Sequence, residues 1–434
     1  MTRGPYHPRT AARSARPAQL RTKDATAMAV GGMIGGGIFS VLGVAVTLAG
    51  HLAFGCFVLG GALAMVTARS WAGVTARAGR SGGPFDHLRE QGHSELAGVL
   101  LWLLVFGYMV AMAVYSFTFG RYAANALGAP TWVARVGTVA VVALFLAVNL
   151  RGVRTSSLTE DLVVLVKLLV LAGIAFVGLA QFDTGRLEPL ADHGITGLFL
   201  GAATVFFAYE GFELICYDRD DMHDPARTLP RSLYLSVAIV AVVYIGVTLS
   251  AQMLVSDQAL AAQKEVAFVA VGEAALGTFG RWAAIVGALF ATGSAINATL
   301  FSCARLVRDA SATGDLPRSL GREIHGQPMV AMAMLPGITA VIAFGSASFL
   351  AIYTIVNWLQ LTMARGFWSR TLAAVGAAAC AAAIVALFVE LARDDTTGLV
   401  VLIVLVVVIT AGRLVFRRQT SRRGIKSAGG PARS

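Results

Sequence analysis

Three ionisable side chains stand in stretches that are otherwise apolar. Glu210 and Glu213 lie in "GAATVFFAYEGFELICY", on either side of Gly211, and Lys167 lies in "LVVLVKLLVLAGIAF". Carboxyl and amine groups among aliphatic residues are costly unless they face a cavity, hold each other or hold backbone. Their chemistry is to exchange protons or to grip a charged solute. A second feature carries no ionisable group. "AMAVGGMIGGGIFSVLG" (27–43) contains Gly31, Gly32, Gly35, Gly36 and Gly37. Each glycine costs about 1 kcal/mol against alanine inside a helix, so the cluster either weakens a helix or lets backbone come close to a neighbour. Gly31 and Gly35 also make a G-x-x-x-G pair, a device for helix contact.

The elements that position these groups follow from composition. Of 434 residues, 56% are hydrophobic and 14% charged, against about 25% charged in a soluble domain. The apolar residues come in blocks of about 20, the span of a bilayer-crossing helix. The pattern predicts an all-α integral membrane protein with twelve spans near 27–48, 52–70, 96–120, 131–150, 162–182, 196–218, 230–254, 281–308, 329–344, 347–364, 371–391 and 398–416. The net charge of +11 is topological rather than a nucleic-acid footprint. With both ends on one side, that side collects most of the 35 Lys and Arg; the other holds only Arg121, Arg135, Arg186, Lys264, Arg281 and Arg393. The positive-inside rule then puts both termini in the cytoplasm. Residues 1–23 and 418–434 read as disordered cytoplasmic tails. Cys56, Cys216, Cys303 and Cys380 lie in apolar spans as small hydrophobes.

Lipid tolerates irregular backbone only where protein or a water-filled cavity covers it. The glycine cluster falls in the first span and the Glu-Gly pair in the sixth, each the first of a five-helix set. Interruptions at matching positions of two halves point to an inverted-repeat transporter. The half-helix that begins after a break offers free N–H groups and a positive dipole end for a carboxylate; the half that ends there offers carbonyls for an ammonium or metal cation. Together they suit an α-amino acid zwitterion. Other chemistry is missing from the sequence. No His pair with a nearby carboxylate has zincin spacing, no G-x-x-x-x-G-K-[ST] loop is present, and "GGMIGGG" lacks dinucleotide-fingerprint spacing. No metal-ligand spacing occurs, no cofactor is expected, and no nucleophile–base pair suggests an enzyme.

The ordered motifs resemble the amino acid–polyamine–organocation (APC) family of permeases. "GGMIGGGIF" is similar to that family's G-x-I-G-x-G-I-F; "SGGPFDHLREQG" (81–92) and "NLRGVRTSS" (149–157) resemble its loops after spans two and four. "FFAYEGFEL" with "DRDDMHDPARTLPRS" resembles its sixth span and following loop, and "ATGSAINATLFSCARLVRDASATGDLP" its eighth span. The departures are Phe85 and His87, where tyrosine is usual, and Asp221 to Asp224 in the later loop. The resemblance implies a LeuT-like five-plus-five inverted repeat with discontinuous helices one and six: 24–182 as the first repeat, 183–364 as the second, and 365–417 as two appended helices. It implies a multi-pass plasma-membrane transporter, monomer or homodimer, whose partners are a small amino acid or amine, protons and the bilayer, with no nucleic acid. Proton symport leads; exchange, polyamine transport and a non-transporting sensor of the same fold are the alternatives.

On this resemblance Gly35, Gly36, Gly37 and Ile38 present N–H groups to a substrate carboxylate, and Met33 and Ile34 offer carbonyls to its amine. Phe206, Phe207 and Ala208 line the other side, with Phe207 either an aromatic gate or simple packing. Tyr108 and Asn297 are further pocket candidates; an amide in a span also serves to bond a neighbouring helix. Glu210 has three readings: partner of a cationic side chain, acceptor of the coupling proton, or hydrogen-bond acceptor for unwound backbone. Glu213 either couples protons or caps a helix end. Lys167 either snorkels to the interface or sets its ammonium on the first-span carbonyls near the break, with Ser294 and Thr292 completing that site.

Overall fold

Lipid gives a backbone no hydrogen-bonding partner, so apolar runs of bilayer length must satisfy their own amides as helices. In the computed structural model the described residues are 20–78, 83–150, 157–316, 323–324, 327–328, 341–394 and most of 396–413. They form α1 (Thr22–Met33), α2 (Gly37–Ala49), α3 (Ala53–Ala78), α4 (Gly83–Glu90), α5 (Ser94–Ala126), α6 (Thr131–Leu150) and α7 (Ser157–Leu179). There follow α8 (Gly194–Val205), α9 (Pro225–Leu254), α10 (Asp257–Gln263), α11 (Ala267–Thr313), α12 (Val341–Met363) and α13 (Phe367–Asp394), then α14 (Leu402–Arg413). One strand pair, Glu323–Ile324 with Gln327–Pro328, is antiparallel. Among the described residues eight segments are long and apolar enough to cross a membrane.

Element ends follow local chemistry. Pro225 opens α9 at its first turn, where a missing N–H is harmless. Ser256 caps α10 by accepting from Ala259 N. Gly314, at φ +81°, stops α11 in the left-handed conformation. On α7 two stripes separate by helical period. Leu162, Leu165, Leu169 and Phe176 are exposed, while Val164, Lys167, Leu171 and Ile174 are buried. On α6 Trp132, Val136, Val139 and Leu144 are likewise exposed. Such continuous apolar faces require a bilayer to cover them. Inside this ring α1 and α2 lie against α9, α8, α7 and α11.

Several expected boundaries move. The cut between the ninth and tenth spans at 344–347 falls inside α12, which is continuous from Val341 to Met363; the bulk of the expected ninth span lies outside the described residues, as do 1–19, 79–82, 151–156 and 414–434. Helix starts at Thr22, and Leu20 pairs with the chain after the sixth span: Leu20 N donates to Asp221 O at 3.1 Å and His223 N to Leu20 O at 2.9 Å. The eighth span is the later part of α11, which breaks at Leu276 and Gly277.

Candidate functional site

The first span breaks where glycine is densest. Helix α1 ends at Met33, Ile34 leaves the helical region at ψ 69°, and α2 restarts after Gly36. Across the break the N–H groups of Gly36, Gly37, Ile38 and Phe39 have no backbone acceptor among the described residues, as expected for the first turn of a helix. Close approach explains the glycines. A Cβ at Gly36 would lie 2.7 Å from a Tyr115 ring carbon, and one at Gly37 would lie 2.7 Å from Ala208 Cα.

The sixth span loses its α-helix at the same level. Helix α8 gives way to 3-10 turns at Phe206–Tyr209 and Phe212–Asp221, with Glu210 extended between them and Gly211 at φ +106°. Only glycine enters that conformation without strain, and a Cβ there would meet the Gly32 carbonyl carbon at 3.0 Å. The two breaks thus touch backbone to backbone. The Tyr244 hydroxyl, from α9, lies 2.9 Å from Met33 O and 3.1 Å from Ala208 O and ties one break to the other.

Lys167 is fully buried. Its Nζ donates to Gly31 O at 2.8 Å, Ile34 O at 2.7 Å and Ser294 Oγ at 3.1 Å. The ammonium lies on carbonyls freed where α1 ends. Ser294 passes its own proton to Ala291 O, and the Thr292 hydroxyl donates to Ala288 O, so Thr292 stays beside the break without joining the lysine.

The two carboxyls differ. Glu213 is saturated: Tyr108 donates to Oε1 at 3.0 Å, and Tyr353 and Gly211 N donate to Oε2 at 2.8 and 3.0 Å. It holds the turn after Gly211 to α5 and α12. Glu210 is 2% exposed, and neither carboxyl oxygen has a hydrogen-bond partner among the described residues. Among the described residues Glu210 accepts no backbone hydrogen bond. Tyr108 serves Glu213. Asn297 Oδ1 accepts from Asn149 Nδ2 at 2.9 Å, so that oxygen is spent on a helix–helix bond. Phe207 is buried with its ring 6.0 Å from that of Tyr115. Met33, Ile34, Ile38, Phe206 and Ala208 are buried around the breaks.

Sequence reading missed Tyr115, Tyr244, Tyr353 and Asn149. A tyrosine inside an apolar span is a weak signal, because its ring suits a core and only its partner shows what the hydroxyl does.

Two broken helices thus meet inside the bundle, with a lysine on one break and, on the other, a carboxyl that has no partner among the described residues. Residues 20–412 match the amino acid permease family, and the chain belongs to that family. It is 30% identical over 352 residues to an uncharacterized Methanocaldococcus jannaschii protein, covering 78% of this chain and 81% of that one. It is 30% identical over 356 residues to human Asc-type amino acid transporter 1, covering 78% and 67%. A solved structure of a histidine variant of the Eremococcus coleocola manganese transporter aligns over 91% of this chain and 92% of its own, with TM-score 0.55 at 11% identity; that likeness speaks for the fold alone. The chain is a multi-pass membrane transporter of the APC family.

Proposed function

We propose that this protein carries an amino acid or related amine by alternating access, with a proton moving in the same direction. The observation that carries the reading is the pairing of unlike ends at one level: unpaired N–H groups of Gly36, Gly37 and Ile38 beside an unpaired, buried Glu210 carboxyl. A carboxylate suits the first. An ammonium, or a proton, suits the second. Met33, Ile34, Gly35, Phe206, Phe207 and Ala208 form the walls, with Asn297 nearby on α11. Lys167 with Ser294 occupies the place where a coupling cation is needed, and its ammonium is a titratable substitute for a metal ion.

The same reading takes spans one and six as the first members of two inverted five-helix repeats, followed by two more helices, twelve in all. It places the protein in the plasma membrane, as monomer or homodimer, with both termini cytoplasmic. Leu20 and Asp221 then mark the inner face, and the corner between α2 and α3 the outer face. Because Glu210 lacks a donor, cationic substrates such as polyamines and basic amino acids are the specific second reading. Uptake of labelled amino acids and polyamines by proteoliposomes, with and without an acidic exterior, decides between them. Saturable uptake that rises with the pH gradient supports symport. Flux that requires internal amine and ignores the gradient supports exchange. Binding with no flux under any gradient refutes transport and leaves a sensor.

A further inference from the structure

A second cluster of polar groups sits at the end of the bundle opposite Leu20. A cavity of about 580 Å³ opens there, lined by His51, Asp192, Gln252 and Asp257 among others. His51 stands in the 3-10 turn between α2 and α3, Asp192 in the loop before α8, and Asp257 at the start of α10. One ligand atom from each of His51, Asp192 and Asp257 lies within 4.8 Å of the other two.

The hydrogen bonds show which atoms are spoken for. His51 Nδ1 is 2.9 Å from Pro189 O. A carbonyl only accepts, so Nδ1 carries a hydrogen, and Nε2 is the ring atom free to bind a metal, the arrangement that orients metal-binding histidines. Nε2 lies 3.7 Å from Asp257 Oδ2, too far for a hydrogen bond. Two ligands on one tetrahedral ion with bonds of about 2.1 Å stand roughly 3.4 Å apart. Asp257 Oδ2 is buried without a hydrogen-bond donor among the described residues.

Gln252 adds an independent sign. It is 3% exposed, lines the same cavity and turns its amide N–H toward the Asp257 carboxyl. Its Nε2 donates to Gly50 O at 3.1 Å, while Oε1 has no partner among the described residues. Reversing the amide would set oxygen against the Gly50 carbonyl, so the orientation holds. Asp192 Oδ1 accepts from His51 N and His193 N, and Oδ2 is 3.2 Å from His193 Nδ1. Arg186, the other charge in the cavity, turns Nη1 to the carbonyls of Gln252 and Met253.

A histidine nitrogen and two carboxylates therefore meet at this cavity, with one carboxylate oxygen of Asp257 left without a donor among the described residues. We propose that His51, Asp192 and Asp257 bind a divalent transition-metal ion of the Zn²⁺ type. One nitrogen with carboxylate oxygens suits Zn²⁺ or a close neighbour; Ca²⁺ and Mg²⁺ prefer oxygen-only sets. The ion joins the α2–α3 corner, the loop before α8 and α10. Helix α10 and its following turn already press on α2: a Cβ at Gly43 would lie 2.6 Å from Lys264 O. The bound ion holds this face shut and slows the transport cycle.

The test uses the purified full-length protein with ZnCl₂ as probe and CaCl₂ and MgCl₂ as controls. Equilibrium dialysis is expected to give one tightly held Zn²⁺ per chain, with a rise in melting temperature that Ca²⁺ and Mg²⁺ do not produce. His51→Ala and Asp257→Asn should each lower Zn²⁺ affinity at least tenfold while melting near the wild type without metal. Zn²⁺ binding of equal strength in wild type and both variants overturns the site, as does no saturable binding by the wild type. In proteoliposomes, Zn²⁺ on the His51 side should slow wild-type flux and leave His51→Ala untouched. The binding arm needs no transport, so it stands or falls apart from the substrate reading above.

Discussion

Replacing Lys167 by alanine tests the coupling reading most sharply. The ammonium makes three hydrogen bonds, to Gly31 O, Ile34 O and Ser294 Oγ. Its loss leaves two buried carbonyls without a donor, and each orphaned group costs about 1–3 kcal/mol. Against this, the variant no longer holds an ammonium away from water, a penalty of several kcal/mol in the native protein. The opposing terms are of similar size, so Lys167→Ala is expected to fold and to melt within a modest interval of wild type. Coupling behaves differently. One pH unit across the membrane is worth about 1.4 kcal/mol per proton, a tenfold concentration ratio for one-to-one symport. Wild-type proteoliposomes should therefore accumulate substrate up to about tenfold per unit of gradient. The variant should only equilibrate it, while still exchanging labelled for unlabelled substrate at equal pH. That exchange assay shows that the fold and the site survive. Accumulation by Lys167→Ala equal to wild type would refute the coupling role.

Other substitutions probe the remaining parts. Glu210→Gln removes the ionisable carboxyl. If a cationic group binds there, the lost charged bond is worth about 1.5–3 kcal/mol, a tenfold or larger rise in KM for that substrate; if a proton binds there, the pH profile of uptake flattens instead. Unchanged KM values and an unchanged profile exclude both roles. Gly211→Ala forces a left-handed alanine, costing about 1–2 kcal/mol, and drives its Cβ to 3.0 Å from the Gly32 carbonyl carbon; a lower melting temperature and reduced uptake are expected, and wild-type values would show that the breaks have room to part. Asp315→Asn removes the charge that holds Arg89 Nη2 at 2.6 Å and Arg413 Nη2 at 2.9 Å. With Arg413 buried, a loss of about 3 kcal/mol is expected, read as a fall in thermal stability in detergent that Arg89→Lys reproduces only in part.

What the sequence disclosed depended on how local each cause is. Span positions follow from hydropathy within a 20-residue window, so α5, α6, α7 and α9 appear near their expected places. The interruption at Gly35 to Gly37 follows from composition, because no other residue type allows the approach to Tyr115 and Ala208. The expected cut between the ninth and tenth spans at 344–347 has no counterpart in α12, where the lack of a side chain at Gly345 admits the Phe207 ring, which would lie 3.0 Å from a Cβ there. The cluster of His51, Asp192 and Asp257 had no local sign, since its members are far apart in the chain and only the meeting of three inter-helix corners joins them.

The pair Glu210 and Glu213 shows where such reading must stop. Both are glutamates in the same apolar stretch, one on each side of Gly211, and hydropathy treats them alike. The left-handed glycine separates them. It returns the Gly211 N–H to Glu213 Oε2, and the tyrosines of α5 and α12 complete that shell. The donors that saturate Glu213 are fixed by the fold, so it holds the turn in place. Glu210, extended and on the other side of the glycine, receives none of them. A buried carboxyl without donors is costly as an anion, so a bound ammonium or an added proton would change the state of Glu210 more than that of Glu213, which three donors already hold. That difference is why substitution at Glu210, rather than at Glu213, tests binding at the break.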